Sequence, residues 1–226
     1  MKKAAILVAG GRGTRMGGPV SKQYLPVGGL PVLMHTLRVF NSSVPEAELI
    51  LVLPADDFDY WNSLCQAFAF NIPHQVVAGG NSRFQSVRNG LHALAPETQL
   101  VAIHDGVRPF VKEEVIKESF EVAQQSGSAV AVVALKDSIR KLSDDGKSSF
   151  RERQRYRLVQ TPQTFQVEKI LKAFQVTEIP EFTDDATVYE HQGWQVSLIA
   201  GNPENIKITT PEDIEFAEFL ISKKKD

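Results

Sequence analysis

Continuous apolar runs alternating with helically spaced stretches most limit what this chain can fold into. "AAILVA" (4–9), "ELILVLP" (48–54), "HQVVAGG" (74–80), "QLVAIHDG" (99–106) and "SAVAVVAL" (128–135) are short and rich in branched residues, and most show no polar alternation. Such runs describe strands buried on both faces, as in a parallel sheet covered by helices. Between them, "PVLMHTLRVFNS" (31–42), "DDFDYWNSLCQAF" (56–68), "SRFQSVRNGLHAL" (82–94) and "KEEVIKESFEVAQQSG" (112–127) have helical spacing. Ser82 is placed to cap the third of these and Gly127 to stop the fourth. The pattern predicts an α/β fold built on a doubly wound, mostly parallel (mixed), Rossmann-like sheet.

The alternation breaks at 136–165, a polar, turn-rich stretch with a hairpin signal, "DDG", at 144–146. The expectation is an excursion from the main sheet: a protruding β-arm inserted at about 136–160 of a single domain spanning 1–226. A helix near 166–175, a helix opening at "TDDAT" (183–187), a strand at 194–201 and a last helix at 210–221 follow. Thr210, Pro211 and Asp213 form the start signal of that last helix.

A net charge of −2 creates no field that would recruit nucleic acid or an anionic membrane. The single cysteine, Cys65, allows no internal disulfide and reads as a small core residue. The apolar start of the chain is too short for a secretory leader, and no stretch is long enough to span a bilayer. The expectation is a cytoplasmic protein.

Ligands in doubly wound sheets sit at the carboxyl ends of strands. The polar residues there carry the functional reading. "VAGGRGTRMGG" (8–18) follows the first strand. It is not a Walker A loop, because Pro19 follows Gly18. Nor is it a dinucleotide fingerprint, because Met16 stands three after Gly13. Its backbone N–H groups, with Arg12, Arg15 and Lys22 nearby, suit a polyphosphate; a glycine turn with solvated arginines is the plainer alternative. In "HDGVRP" (104–109), Asp105 is a candidate Mg²⁺ ligand and Arg108 a candidate phosphate fork, or the two form an ion pair fixing the loop. "GGNSRFQSV" (79–87) offers close backbone approach at a strand–helix junction, or an ordinary capped helix. Lys207, in "NIKITTPED" (205–213), faces the same cleft or lies on the surface.

Together and in this order, with "KQYLPVGGLPVLMHTL", "TPQTF", "TDDAT" and "GNPENIKITTPED", these stretches resemble the 2-C-methyl-D-erythritol 4-phosphate cytidylyltransferase family over nearly the whole chain. The resemblance implies transfer of CMP from CTP to a sugar-alcohol phosphate, with Mg²⁺ and release of pyrophosphate. It implies Arg15, Lys22 and Lys207 as the catalytic cations. Ala9, Gly10, Gly11, Gly13, Gly80, Asn81 and Ser86 match the nucleotide site. Asp105, Arg108, Ser138 and Thr183 match the alcohol phosphate site. Arg153 matches an arginine that reaches this site from the partner subunit of a homodimer with interlocking arms, although Arg151, Arg155 and Arg157 stand close by. The sequence departs from the family at Ser21, where Pro is usual, at Ser138, where Thr is usual, and at "HDGVRP", where "HDAARP" is common. A ribitol 5-phosphate cytidylyltransferase shares the loop and chemistry, and a nucleotide sensor without catalysis is the rival of another class.

Overall fold

The structure is a computed structural model that describes residues 1–11 and 20–223. Gly13 and Arg15 lie outside the described residues. Among the described residues the strands are β1 (Lys2–Val8), β2 (Pro26–Val27), β3 (Leu30–Pro31), β4 (Glu48–Leu53), β5 (Gln75–Ala78), β6 (Thr98–Asp105), β7 (Ser128–Ala134), β8 (Ile139–Leu142), β9 (Ser148–Arg151), β10 (Arg157–Gln166) and β11 (Leu198–Ala200). The α-helices are α1 (Val32–Ser43), α2 (Phe58–Ala67), α3 (Arg83–His92), α4 (Glu113–Ser126), α5 (Val167–Ala173), α6 (Asp185–Glu190) and α7 (Pro211–Ser222).

Seven strands form the main sheet in the order β11-β7-β10-β6-β1-β4-β5. β1, β4, β5 and β6 run parallel, and β10 runs antiparallel to both of its neighbours. Alternate residues of each inner strand serve opposite layers. Ala5 and Leu7 of β1, with Leu49, Leu51 and Leu53 of β4, pack against α1, α2 and α4. Ala4 and Ile6, with Ile50 and Val52, pack against α3, α5 and α6. This double coverage is why the runs are apolar at every position.

The predicted caps form. Ser82 accepts a hydrogen bond from the Gln85 N–H (3.1 Å), and Gly127 ends α4 in the left-handed region at φ 95°. Asp213, in the first turn of α7, accepts from the Thr210 N–H at 2.9 Å.

One expectation is overturned. The excursion from the main sheet ends at Tyr156, not at 160 or 165, because β10 enters the sheet between β6 and β7. Only β8 and β9 form the arm, a separate two-stranded sheet. Two others are trimmed: the strand expected at 194–201 pairs only over Leu198–Ala200, at the sheet edge, and the helix expected to open at "TDDAT" runs only over Asp185–Glu190.

The chain leaves β1 for β4 on one side and later returns to β6 on the other. The carboxyl end of β1 is therefore the switch point of the sheet, where a crevice opens.

Candidate active site

Register brings the strand ends level. Val8 stands opposite Val52 of β4 and Asp105 of β6. The ladder continues into the loops: Ala9 N–H donates to the Val52 carbonyl (2.9 Å), Gly106 N–H to that of Val8 (2.9 Å), and Gly79 N–H to that of Leu53 (2.7 Å). Three loops are thereby fixed around one cleft of about 770 Å³.

Of the residues singled out in the sequence, Ala9, Gly10, Gly11, Lys22, Gly80, Asn81, Ser86, Asp105 and Lys207 line this cleft. Lys22 opens a 3₁₀ turn (Lys22–Tyr24) anchored by its next two residues. The buried Gln23 amide donates to the Ala9 carbonyl at 3.2 Å, and the Tyr24 hydroxyl donates to Asp57 at 2.9 Å. Ser86 is also tied into the loop it lines. Its buried hydroxyl accepts from Gly80 N–H (3.1 Å) and donates to the Ser82 carbonyl (2.8 Å), so it shapes the loop. The Asn81 N–H is likewise taken by the Gln85 side chain at 3.0 Å. Gly80 must be glycine for this tight turn, because a Cβ there would lie 2.3 Å from the Gln85 Cβ.

Asp105 is the electrostatic centre. Its Oδ2 lies 3.0 Å from Arg108 Nε and 3.1 Å from Lys207 Nζ, and its Oδ1 lies 3.7 Å from Arg83 Nε. Burial alone would raise its pKa, but Lys207, Arg83 and Arg108 outweigh that and hold the carboxyl well below the usual range. Asp105 is therefore ionised at neutral pH. At Gly106 a Cβ would fall 2.9 Å from Leu33 Cδ1 and 3.0 Å from the Ala9 Cβ. Glycine there lets the Asp105 loop settle against the end of β1, which gives the "HDGVRP" departure a packing reason.

The ion-pair reading of Asp105 and Arg108 thus holds; Asp105 lines the cleft, whereas Arg108 is not among the residues that line it. Arg108 also donates to the Asn205 carbonyl at 2.9 Å. Beneath them, burial pushes His104 down to about 4, so its ring is neutral. Its Nε2 lies 3.0 Å from the Arg108 carbonyl, which can only accept, so Nε2 carries the proton. Nδ1 then accepts from the Thr161 hydroxyl (3.0 Å), whose oxygen accepts from Asp105 N–H (3.1 Å). His104 thus braces the end of β6.

Lys207 is set by the 201–208 segment. Asn205, buried, donates to the Thr161 carbonyl at 2.8 Å, and Ile208 N–H donates to the Val107 carbonyl at 2.9 Å. Ser138, Arg153 and Thr183 are exposed and are not among the residues lining the cleft. Arg153 instead donates to the Lys136 carbonyl at the base of the arm. Arg83, which lines the cleft, is missing from the sequence-based set, although it lies within the quoted "GGNSRFQSV".

The residues present fit Mg²⁺ in one way. Asp105 is a single ionised carboxylate among three cations, a setting that repels a bare dication and accepts one that arrives with a polyphosphate. Mg²⁺ commonly binds this way, through one or two carboxylates and substrate phosphates.

A family model described as 2-C-methyl-D-erythritol 4-phosphate cytidylyltransferase matches residues 3–223. A protein of that name from Bacteroides thetaiotaomicron is 48% identical over 221 residues, covering 98% of this chain and all of the relative. One from Porphyromonas gingivalis is 47% identical over 222 residues, covering 98% of each. The crystal structure of 4-diphosphocytidyl-2C-methyl-D-erythritol synthase from Anaerococcus prevotii superposes with a TM-score of 0.86 at 33% identity, covering 98% of this chain and 96% of that one. That of the Thermus thermophilus cytidylyltransferase gives 0.77 at 29% identity, covering 98% and 100%.

Proposed function

The chain belongs to the 2-C-methyl-D-erythritol 4-phosphate cytidylyltransferase family, and from that premise we propose how its cleft performs the transfer. The enzyme moves CMP from CTP to 2-C-methyl-D-erythritol 4-phosphate and releases pyrophosphate, in isoprenoid precursor synthesis. One observation supports the assignment of roles: Lys22, Lys207 and ionised Asp105 line one cleft with Gly10 and Gly11, and Asp105 pairs with Lys207 and Arg108.

CTP lies with its base toward Gly80 and Asn81 and its triphosphate along Gly10, Gly11 and Lys22. Gly13 and Arg15 complete this loop in the reading. The acceptor sits beside Asp105 and Arg108, with Ser138 and Thr183 as further contacts. A phosphate oxygen of the acceptor forms the new P–O bond at the α-phosphorus, and the bond from that phosphorus to the bridging oxygen of the β-phosphate breaks. The nucleophile is already an anion, so no general base is needed, and catalysis is positioning and charge neutralisation. Lys207 steadies the α-phosphate as its charge redistributes. Mg²⁺, when bound, neutralises triphosphate charge, and Asp105 is the side chain that would hold it. The protein works in the cytoplasm in this reading; among the described residues no helix is long and apolar enough to cross a membrane.

The deciding experiment supplies purified protein with CTP and Mg²⁺ and follows pyrophosphate. Release is expected only with an acceptor, and with methylerythritol phosphate far above ribitol 5-phosphate. No release with either acceptor, or preference for ribitol phosphate, contradicts the reading.

A homodimer completes the proposal. Leu142 and Phe150 share one face of the arm and are 70% and 68% exposed; Leu158 and Val159, where β10 begins, are also exposed. Exposed apolar residues gathered on a projecting hairpin and its root mark a protein interface. Arg153 lies between them in sequence and reaches the partner's acceptor site in this reading. Replacing Leu142 and Phe150 together by aspartate is expected to halve the sedimenting mass and to raise KM for the acceptor. A wild-type protein that sediments as a monomer would refute the dimer.

A further inference from the structure

We infer that Arg83, gripped by Asp185, is a positioning residue that sets the direction of the Asp105 carboxylate and so the acceptor end of the cleft; this rests on reading Asp105 and Arg108 as that end.

Arg83 is the first residue of α3 and Asp185 the first of α6, 102 positions apart. The two terminal guanidinium nitrogens donate to the two oxygens of Asp185 at 2.8 Å and 2.6 Å. Asp185 is wholly buried. This paired fork is the strongest geometry available to an arginine. It leaves the Nε edge for Asp105, whose Oδ1 is 3.7 Å away. The other Asp105 oxygen belongs to Arg108 and Lys207. Cations from three chain segments therefore hold the carboxylate at both oxygens.

The grip is itself anchored in the sheet. Gln163, buried in β10, donates to Asp184 at 2.9 Å and accepts from Ala186 N–H at 2.8 Å, so it brackets Asp185 on both sides. Asp184 caps α6 by accepting from Thr187 N–H at 2.9 Å. The sequence of contacts runs from β10 through α6 and Arg83 to Asp105. A lysine cannot replace Arg83 in it, because a single ammonium cannot fill the Asp185 fork and face Asp105 with a separate edge.

Breaking a buried ion pair from one side strands a charge and risks misfolding. The test therefore uses Arg83→Gln with Asp185→Asn, which removes both charges and keeps hydrogen-bonding groups, with Arg83→Lys as a second background. KM for methylerythritol phosphate is expected to rise about tenfold or more, since a small misplacement of a positioning group is amplified in this way. CTP affinity is expected to stay within about twofold, a split that general loosening of the fold would not give. An unchanged acceptor KM in either folded variant overturns the inference. So does an equal loss for both substrates that tracks lowered thermal stability. Asp105→Asn, assayed alongside, separates the two claims. If it leaves the acceptor KM unchanged, the reading of the acceptor end fails. If it raises that KM while the Arg83 variants do not, the positioning role alone fails.

Discussion

Replacement of Lys22 by alanine is expected to lower kcat by about 10²- to 10³-fold while CTP binding weakens only a few-fold. The magnitude is that of removing one preorganised group that stabilises charge developing in the transition state. In the proposed complex the triphosphate would have binding groups besides Lys22: the loop after β1, other cations and, on the proposed role of Mg²⁺, the metal. In the transition state charge gathers on the departing pyrophosphate, and a cation fixed near it gains most there. Pre-steady-state pyrophosphate release gives the turnover, and titration calorimetry with CTP gives the affinity. Equal losses in the two would make Lys22 a binding residue and nothing more.

The local structure makes this a clean substitution. The turn at 22 is anchored by its neighbours. Gln23 ties the turn to Ala9, and Tyr24 hydrogen-bonds Asp57 and packs its ring on Tyr60 and Trp61. Alanine removes the ammonium and leaves both of these anchors in place. The observation also bears on Ser21, where the family usually has Pro. The anchors at Gln23 and Tyr24 hold the turn without that ring, so the substitution need not loosen the loop.

The parts of the fold that were legible in the sequence are those whose burial is two-sided. β1, β4, β6 and β7 are uninterrupted apolar runs because helices cover both faces. β10 escaped because "RLVQTPQTFQ" looks like a surface segment. Its buried Gln160, Thr161, Gln163 and Thr164 are polar for a reason no periodicity reveals. Each binds a partner far along the chain: Gln160 the Asn202 carbonyl, Thr161 His104, Gln163 Asp184, and Thr164 Ser119. Those satisfied groups replace the apolar contacts that a central strand normally makes. The site divides the same way. Lys22 and Asp105 stand out because they sit beside a glycine loop or at a strand end, whereas Lys207 is singled out as a catalytic cation only through the family resemblance. Arg83 is not, because its meaning depends on Asp185, which no local pattern connects to it.

Lys207 poses the sharper question, because its ammonium lies 3.1 Å from Asp105 while its side chain is 39% exposed and lines the cleft. Two roles are compatible with that contact: neutralising Asp105, or acting on the α-phosphate with Asp105 only steering it. Lys207→Ala is expected to reduce kcat by about 10²- to 10³-fold in either case. The double variant with Asp105→Asn separates them through its coupling energy. Were neutralisation the whole task, removing the carboxylate's charge would make the lysine dispensable, and the double variant would match Asp105→Asn alone. A lysine that stabilises the α-phosphate gives the opposite result, and this is the one expected: the double variant turns over no faster than Lys207→Ala. Arg108 supports that outcome, since it lies 3.0 Å from Asp105 and would keep the carboxylate paired after Lys207 is gone. Lys207, the more exposed of these two cations, is then left to act on the α-phosphate in the proposed complex. Single-turnover rates of the three variants at saturating CTP would decide, and recovery of the double variant to the Asp105→Asn rate would remove Lys207 from the chemical step.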